Sequence, residues 1–192
     1  MRVGRAFALS FLVATGCATL RGESGPQPAY SADEYLTLTK CVGLSNLALA
    51  VGAVKLMGGS AEELKARYAL APQQPVPVGV TNEVIDGVFR LEADSPYGYS
   101  QGYFAGCAQQ VAKVSPERLP FAQSCMSQAN MALAAQLSKQ KGTTQEAAVE
   151  TLARYGVPET KQIVERVYAT NQPPGDAQSE AWESCMAPFR AR

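Results

Sequence analysis

Histidine is absent from this 192-residue sequence. That excludes Ser-His-Asp and Cys-His nucleophilic catalysis, histidine metal ligation and the histidine pH switch. An excess of either charge is missing too. Seventeen Lys and Arg stand against 17 Asp and Glu, so there is no basic footprint for nucleic acid. No Cys-x-x-Cys occurs, which removes the tight spacing of a zinc site or a dithiol redox centre. Gly-x-Ser-x-Gly, P-loop and dinucleotide motifs are missing, and no pair of carboxylates has a spacing that argues for glycosidase chemistry. Neither cofactor nor metal is expected. Hydrophobic residues nonetheless make up 46% of the chain and charged residues 18%, enough apolar material to bury a core.

Arg2 and Arg5 precede an apolar run over 6–16 that contains Phe7, Leu9, Phe11, Leu12 and Val13. Its length suits a signal-peptide core and falls short of a membrane-spanning helix. The run ends Ala14-Thr15-Gly16-Cys17. Small residues before a cysteine resemble the lipobox of bacterial lipoproteins. The resemblance implies removal of 1–16 as a signal peptide and lipidation of Cys17 as the new N-terminus. Ala14 stands where that family usually has Leu, and Ala14-x-Gly16 suits ordinary signal peptidase as well, which would leave a free periplasmic chain. Ala18 in place of Asp implies, by the same resemblance, the outer membrane rather than the inner. Residues 17–30 carry Gly, Ser and two prolines and read as a flexible tether. Loss of Arg2 and Arg5 leaves 15 basic against 17 acidic side chains, a mildly acidic mature chain.

Four cysteines remain: Cys41, Cys107, Cys125 and Cys185. An even number in an exported chain reads as two disulfides, for which four cysteines allow three connectivities. An internal repeat chooses among them. Sliding the chain by 84 residues lays Cys41 on Cys125, Asn46 on Asn130, Lys55 on Lys139 and Gly58 on Gly142, with eight identities in 28 ungapped positions. Roughly two would arise by chance. Further on, Val84–Phe89 falls on Ile163–Tyr168, and Phe104-x-x-Cys107 falls near Trp182-x-x-Cys185, one residue out of register. Each unit, 31–114 and 115–192, therefore opens and closes with a cysteine. The repeat predicts Cys41–Cys107 and Cys125–Cys185.

Helical signals cover both units. Ser31-x-x-Glu34 and Ser60-x-x-Glu63 are capping boxes, and Gly58-Gly59 stops the first helix. Thr81 is placed to cap a third helix, and Ser95-Pro96 opens a fourth. In the second unit a helix runs from about 119 to 141 to Gly142, followed by Thr143-x-x-Glu146 as a cap. Pro158 opens the third helix there, and Asp176 caps the fourth. No stretch alternates with period two long enough for a strand. The expectation is all-α: a tandem duplication of a four-helix, disulfide-stapled unit, about eight helices, packed as one body or as two small domains.

Several residues invite a functional reading. Asn46 and Asn130 sit at matching places in apolar helices, as ligand contacts or as structural amides. Lys55 and Lys139 lie near helix C-termini, which favour a cation. Tyr97, Tyr99 and Tyr103 crowd one segment and could line a groove or cap the core. Gly98, Gly102 and Gly106 recur every fourth residue and cost a helix roughly 1 kcal/mol each against alanine. They predict close approach of another backbone: the first helix, or else a homodimer or envelope partner. Glu183-Ser184 is similar to the Glu-Ser pair of lytic transglycosylases, without the motifs that follow it there.

The Cys-bounded pattern over about 31–188 resembles small exported helical proteins of bacteria, many without an assigned role, and more distantly the periplasmic acid chaperones. The expected function is a non-enzymatic envelope lipoprotein that binds a partner or stabilises an assembly. A holdase-type chaperone is the alternative. A cell-wall enzyme using a lone carboxylate is a further one, and it requires a buried Asp or Glu of raised pKa.

Overall fold

The computed structural model describes residues 29–70 and 76–191. The expected signal peptide, the expected lipidation site Cys17 and the expected tether up to residue 28 lie outside the described residues. The described chain is all-α, with helices α1 Ala32–Leu56, α2 Ala61–Ala69, α3 Val78–Arg90, α4 Pro96–Gln110, α5 Leu119–Gln140, α6 Gln145–Ala153, α7 Thr160–Ala169 and α8 Pro174–Met186. A short 3-10 turn, Ala187–Phe189, follows.

Local chemistry sets most of these boundaries. Both capping boxes form, Ser31 with Glu34 and Ser60 with Glu63. The Ser95 side chain accepts from the Gly98 amide at 3.1 Å. Gly58, Gly142 and Gly156 end α1, α5 and α6 with φ of +85°, +78° and +64°, the left-handed geometry that glycine takes without strain. Four starts differ from the sequence reading. Thr81 is not a cap: α3 begins behind Pro77, and the Thr81 amide already donates to the Pro77 carbonyl at 2.9 Å inside the first turn. Thr144 rather than Thr143 caps α6, accepting from the Ala147 amide; it is the residue that the 84-residue slide lays on Ser60. Pro158 stands before the start of α7, whose N-cap is Glu159. Asp176 lies in the first turn of α8, two residues inside it.

The disulfides pair as the repeat predicts, Cys41–Cys107 with Cα atoms 5.8 Å apart and Cys125–Cys185 at 5.4 Å. Each joins the first helix of its half to the last. The two halves share a central core, in which Leu38, Cys41, Phe104 and Ala108 pack with Ala122, Cys125, Met126 and Trp182. Each half also has its own lateral core, Val51, Val84, Ile85 and Tyr99 in the first and Ala135, Leu152, Val164 and Val167 in the second. Apolar burial is the main driving force for joining the halves in this way. Helix α1 is long and apolar enough to cross a membrane by length and composition, yet its Leu38, Val42, Ala48 and Val51 are buried in these cores.

Tyr30, read as the end of the tether, is instead fully buried. Its amide donates to the Phe189 carbonyl at 2.7 Å and its hydroxyl to the Arg118 carbonyl at 2.5 Å. Beside it Arg118 grips Glu34 with two bonds of 2.9 Å. That guanidinium holds the Glu34 carboxyl below its ordinary value of 4.5. A depressed carboxylate stabilises the fold above the ordinary value, and the contribution is lost as pH falls through the lowered one. The pair is partly exposed, 21% for Glu34, so its worth is modest. E34Q is expected to lose about 1 kcal/mol at neutral pH. The gap to the wild type should close on acidification below 4.5, as read by urea unfolding across pH.

Candidate ligand groove

The halves match in helix order and at two polar positions, Asn46 with Asn130 and Lys55 with Lys139. Asn46 on α1 and Asn130 on α5 meet at Gln178 of α8. Asn46 and Gln178 exchange two hydrogen bonds, at 2.7 and 2.9 Å, and Gln178 Nε2 also donates to Asn130 Oδ1 at 2.9 Å. Asn130 Nδ2 donates in turn to Ser100 Oγ on α4 at 3.2 Å. Under the register that lays Phe104 on Trp182, Ser100 lies on Gln178. The four side chains form a connected chain of buried or half-buried amides and a hydroxyl joining α1, α4, α5 and α8. Both asparagines are thus structural ties between helices, with their groups already partnered.

Lys55 and Lys139 also do one job twice. Lys55 Nζ donates to the carbonyls of Phe89 at 3.1 Å and Leu91 at 2.6 Å, at the end of α3. Lys139 Nζ donates to the carbonyls of Tyr168 and Thr170, at the end of α7. These carbonyls are the ones a helix leaves without an internal partner. Each ammonium also lies near an aromatic ring, Phe89 at 5.6 Å and Tyr168 at 5.9 Å.

The three tyrosines part company. Tyr99 is buried in the first lateral core, against Gly52 of α1, where an added Cβ would come within 2.6 Å of its ring. Tyr97 packs on the second lateral core, 5.7 Å from Tyr155 between ring centroids. Tyr97 lines, with Leu49 and Tyr155, a slot of about 260 Å³, and Tyr103 reaches a larger groove. The glycine stripe likewise differs from expectation. A Cβ on Gly98 would meet Ala93 and Ser95, one on Gly102 would meet Leu91, and one on Gly106 would meet nothing within 4 Å. None of the three faces the α1 backbone. The close approach between α1 and α4 runs through Gly52 instead, a single glycine with no spacing pattern to reveal it.

Gly102 and Gly106 line a groove of about 620 Å³ between α1, α3 and α4, with the Cys41–Cys107 disulfide, Leu44, Leu91, Val111 and Tyr103 among its walls. Gly87 on α3 gives room to Tyr103, whose ring lies 2.9 Å from a Cβ built there. Lys40, Glu83 and Arg90 stand along this groove. Burial pushes the Tyr103 hydroxyl up, Glu83 adds to the rise and Arg90 opposes it.

The second half has the corresponding groove between α5, α7 and α8, and it is smaller, about 220 Å³. In the repeat registers Arg166 lies where Gly87 is, Glu180 where Gly102 is and Ser184 where Gly106 is. All three line the second groove, with Cys185. The open groove is therefore the one in which three helical positions carry no side chain.

A lone-carboxylate enzyme requires a buried acid of raised pKa. Among the described residues no Asp or Glu is buried, and the two acids with displaced titration, Glu34 and Glu117, are both held low by hydrogen bonds. Among the described residues there is also no group of three His, Cys, Asp or Glu side chains placed to hold a metal ion. No family model matches the chain, and no curated protein or solved structure is significantly similar to it.

Proposed function

We propose that the chain is an exported cell-envelope lipoprotein, anchored through Cys17, whose folded part is a non-enzymatic binding module. The observation that carries the reading is the pair of disulfides, each joining the first and last helix of a half and set in or against the central core. Such bridges form and persist in oxidising compartments, in keeping with the signal-like run before Cys17. The bridged helices hold the α1–α4 groove between rigid walls, which suits recognition. The absence of histidine and of paired carboxylates supports a role without catalysis. The same reading takes the two halves as copies of one four-helix unit, supported by the repeated lysine clasp and asparagine position.

Cys17 precedes Ala29 by 12 residues. A segment of that length reaches up to about 40 Å, enough to hold the folded body clear of a lipid surface. The test is fractionation of the native envelope. The wild type is expected with the membranes and C17S in the soluble periplasmic fraction. Equal distribution of the two proteins would overturn the anchor.

A further inference from the structure

We propose that the α1–α4 groove is a binding site for a single-chain anionic amphiphile, an alkyl carboxylate whose chain lies along the glycine-cut floor and whose acid group meets Lys40. This names the ligand class of the binding-module reading and rests on it.

The floor is the first argument. Glycine inside a helix needs a reason, and packing does not supply one here. A Cβ on Gly106 would touch nothing within 4 Å, and one on Gly102 would make only ordinary contact with Leu91, at 3.4 Å. What side chains at these places would do is fill the groove, as Glu180 and Ser184 line the smaller one of the second half. The open volume, about 620 Å³, is in the range of small-molecule sites.

The second argument concerns what the walls offer. They are helices, whose backbone amides and carbonyls already bond within the helix. An extended peptide would find few partners for its own backbone. Leu44, Leu91 and Val111 offer apolar contact instead, which favours a ligand with one apolar body and a polar group confined to its end.

Charge selects that end. Three charged side chains face the groove: Lys40 from α1, and Glu83 and Arg90 from α3. Two cations thus stand against one carboxylate along the groove. Neither Lys40 nor Arg90 joins an ion pair among the described residues; Lys40, exposed on α1, stands beside Thr37 in the groove wall. Its counterpart in the second half is Ser124; the cation of that groove is Arg166 on α7, opposite Glu159 and Glu180 in the same lining. A carboxylate answers an ammonium flanked by a hydroxyl, in a groove whose cations outnumber its one acid.

Decanoate, kept below its micelle concentration, is the probe. It is titrated into the folded, disulfide-bonded protein and followed by methyl NMR, beside decanol and decyltrimethylammonium. The expected result is saturable one-to-one binding of decanoate, with shifts centred on Leu44, Leu91 and Val111 and at least tenfold weaker binding of the cation. G102E/G106S, which installs the residues of the second groove, should lose at least tenfold in affinity while melting no lower than the wild type. K40Q should weaken decanoate about tenfold and leave decanol unchanged. Absence of saturation, equal binding of the cation, full affinity in G102E/G106S, or shifts centred on the slot around Leu49 and Tyr155 would each overturn the proposal. The fractionation of C17S is independent of all of these, so the groove can fail while the anchored module stands.

Discussion

Removing both disulfides is expected to destabilise the protein by about 8 kcal/mol, about 4 for each bridge. The bridges close segments of 66 and 60 residues. The loss of chain entropy in the unfolded state grows only slowly with such lengths, so the two contributions are nearly equal. The closed segments, 41–107 and 125–185, do not overlap in sequence, so in the chain-entropy picture their contributions add. A sum of this size equals the whole stability of many domains. The fully reduced chain should unfold at or near room temperature, while the pairwise variants C41A/C107A and C125A/C185A each stay folded with a lowered urea midpoint. Urea unfolding of the wild type, both pairwise variants and the reduced protein checks this. A loss under about 1 kcal/mol for either pair would contradict the account of the bridges as the main brace.

W182A is expected to cost about 4 kcal/mol, the largest effect of any single non-cysteine substitution. Trp182 is 1% exposed and sits where the halves meet. Phe104 meets its ring edge-on at 6.3 Å and Tyr35 stacks against it at 6.3 Å. Its indole N–H donates to Thr39 Oγ1 of α1 at 2.9 Å. Truncation would leave a large cavity between α1, α4 and α8 and remove a donor from Thr39. F121A, on a residue 43% exposed, is the control and should change stability little. Thermal and urea unfolding read both; a W182A loss no larger than that of F121A would mean that the central core does not join the halves.

Much of this architecture is legible in the sequence because its signals are local. Ser31, Ser60 and Ser95 announce helix starts through side-chain chemistry that acts within three residues, and Gly58, Gly142 and Gly156 announce stops through backbone conformation. The disulfide pairing was legible for another reason: the repeat supplied long-range information that composition lacks. Where two local signals compete, sequence is a weaker guide. Thr81 has the right chemistry for a cap, but Pro77 begins the helix earlier, and of the adjacent Thr143 and Thr144 it is Thr144 whose side chain accepts from the Ala147 amide, although Thr143 has the Glu three residues on.

The groove was legible only in part. The spacing of Gly98, Gly102 and Gly106 gives a stripe, but a stripe does not say which neighbour it faces. Helix packing decided that, turning Gly102 and Gly106 toward a groove and leaving Gly52 to admit Tyr99. Gln178 escaped notice because its counterpart is Ser100, not a second amide. The repeated Asn46 and Asn130 are the one sequence sign of it, since a buried amide must find a partner.

The most direct test of an exported, anchored and doubly stapled module is the intact mass of the protein from its native envelope, before and after reduction. The account predicts a chain that begins at Cys17, carries the added mass of several acyl chains and gains four hydrogens when its two disulfides open. A chain that still holds residues 1–16, lacks acyl mass or gains no hydrogens on reduction would contradict it.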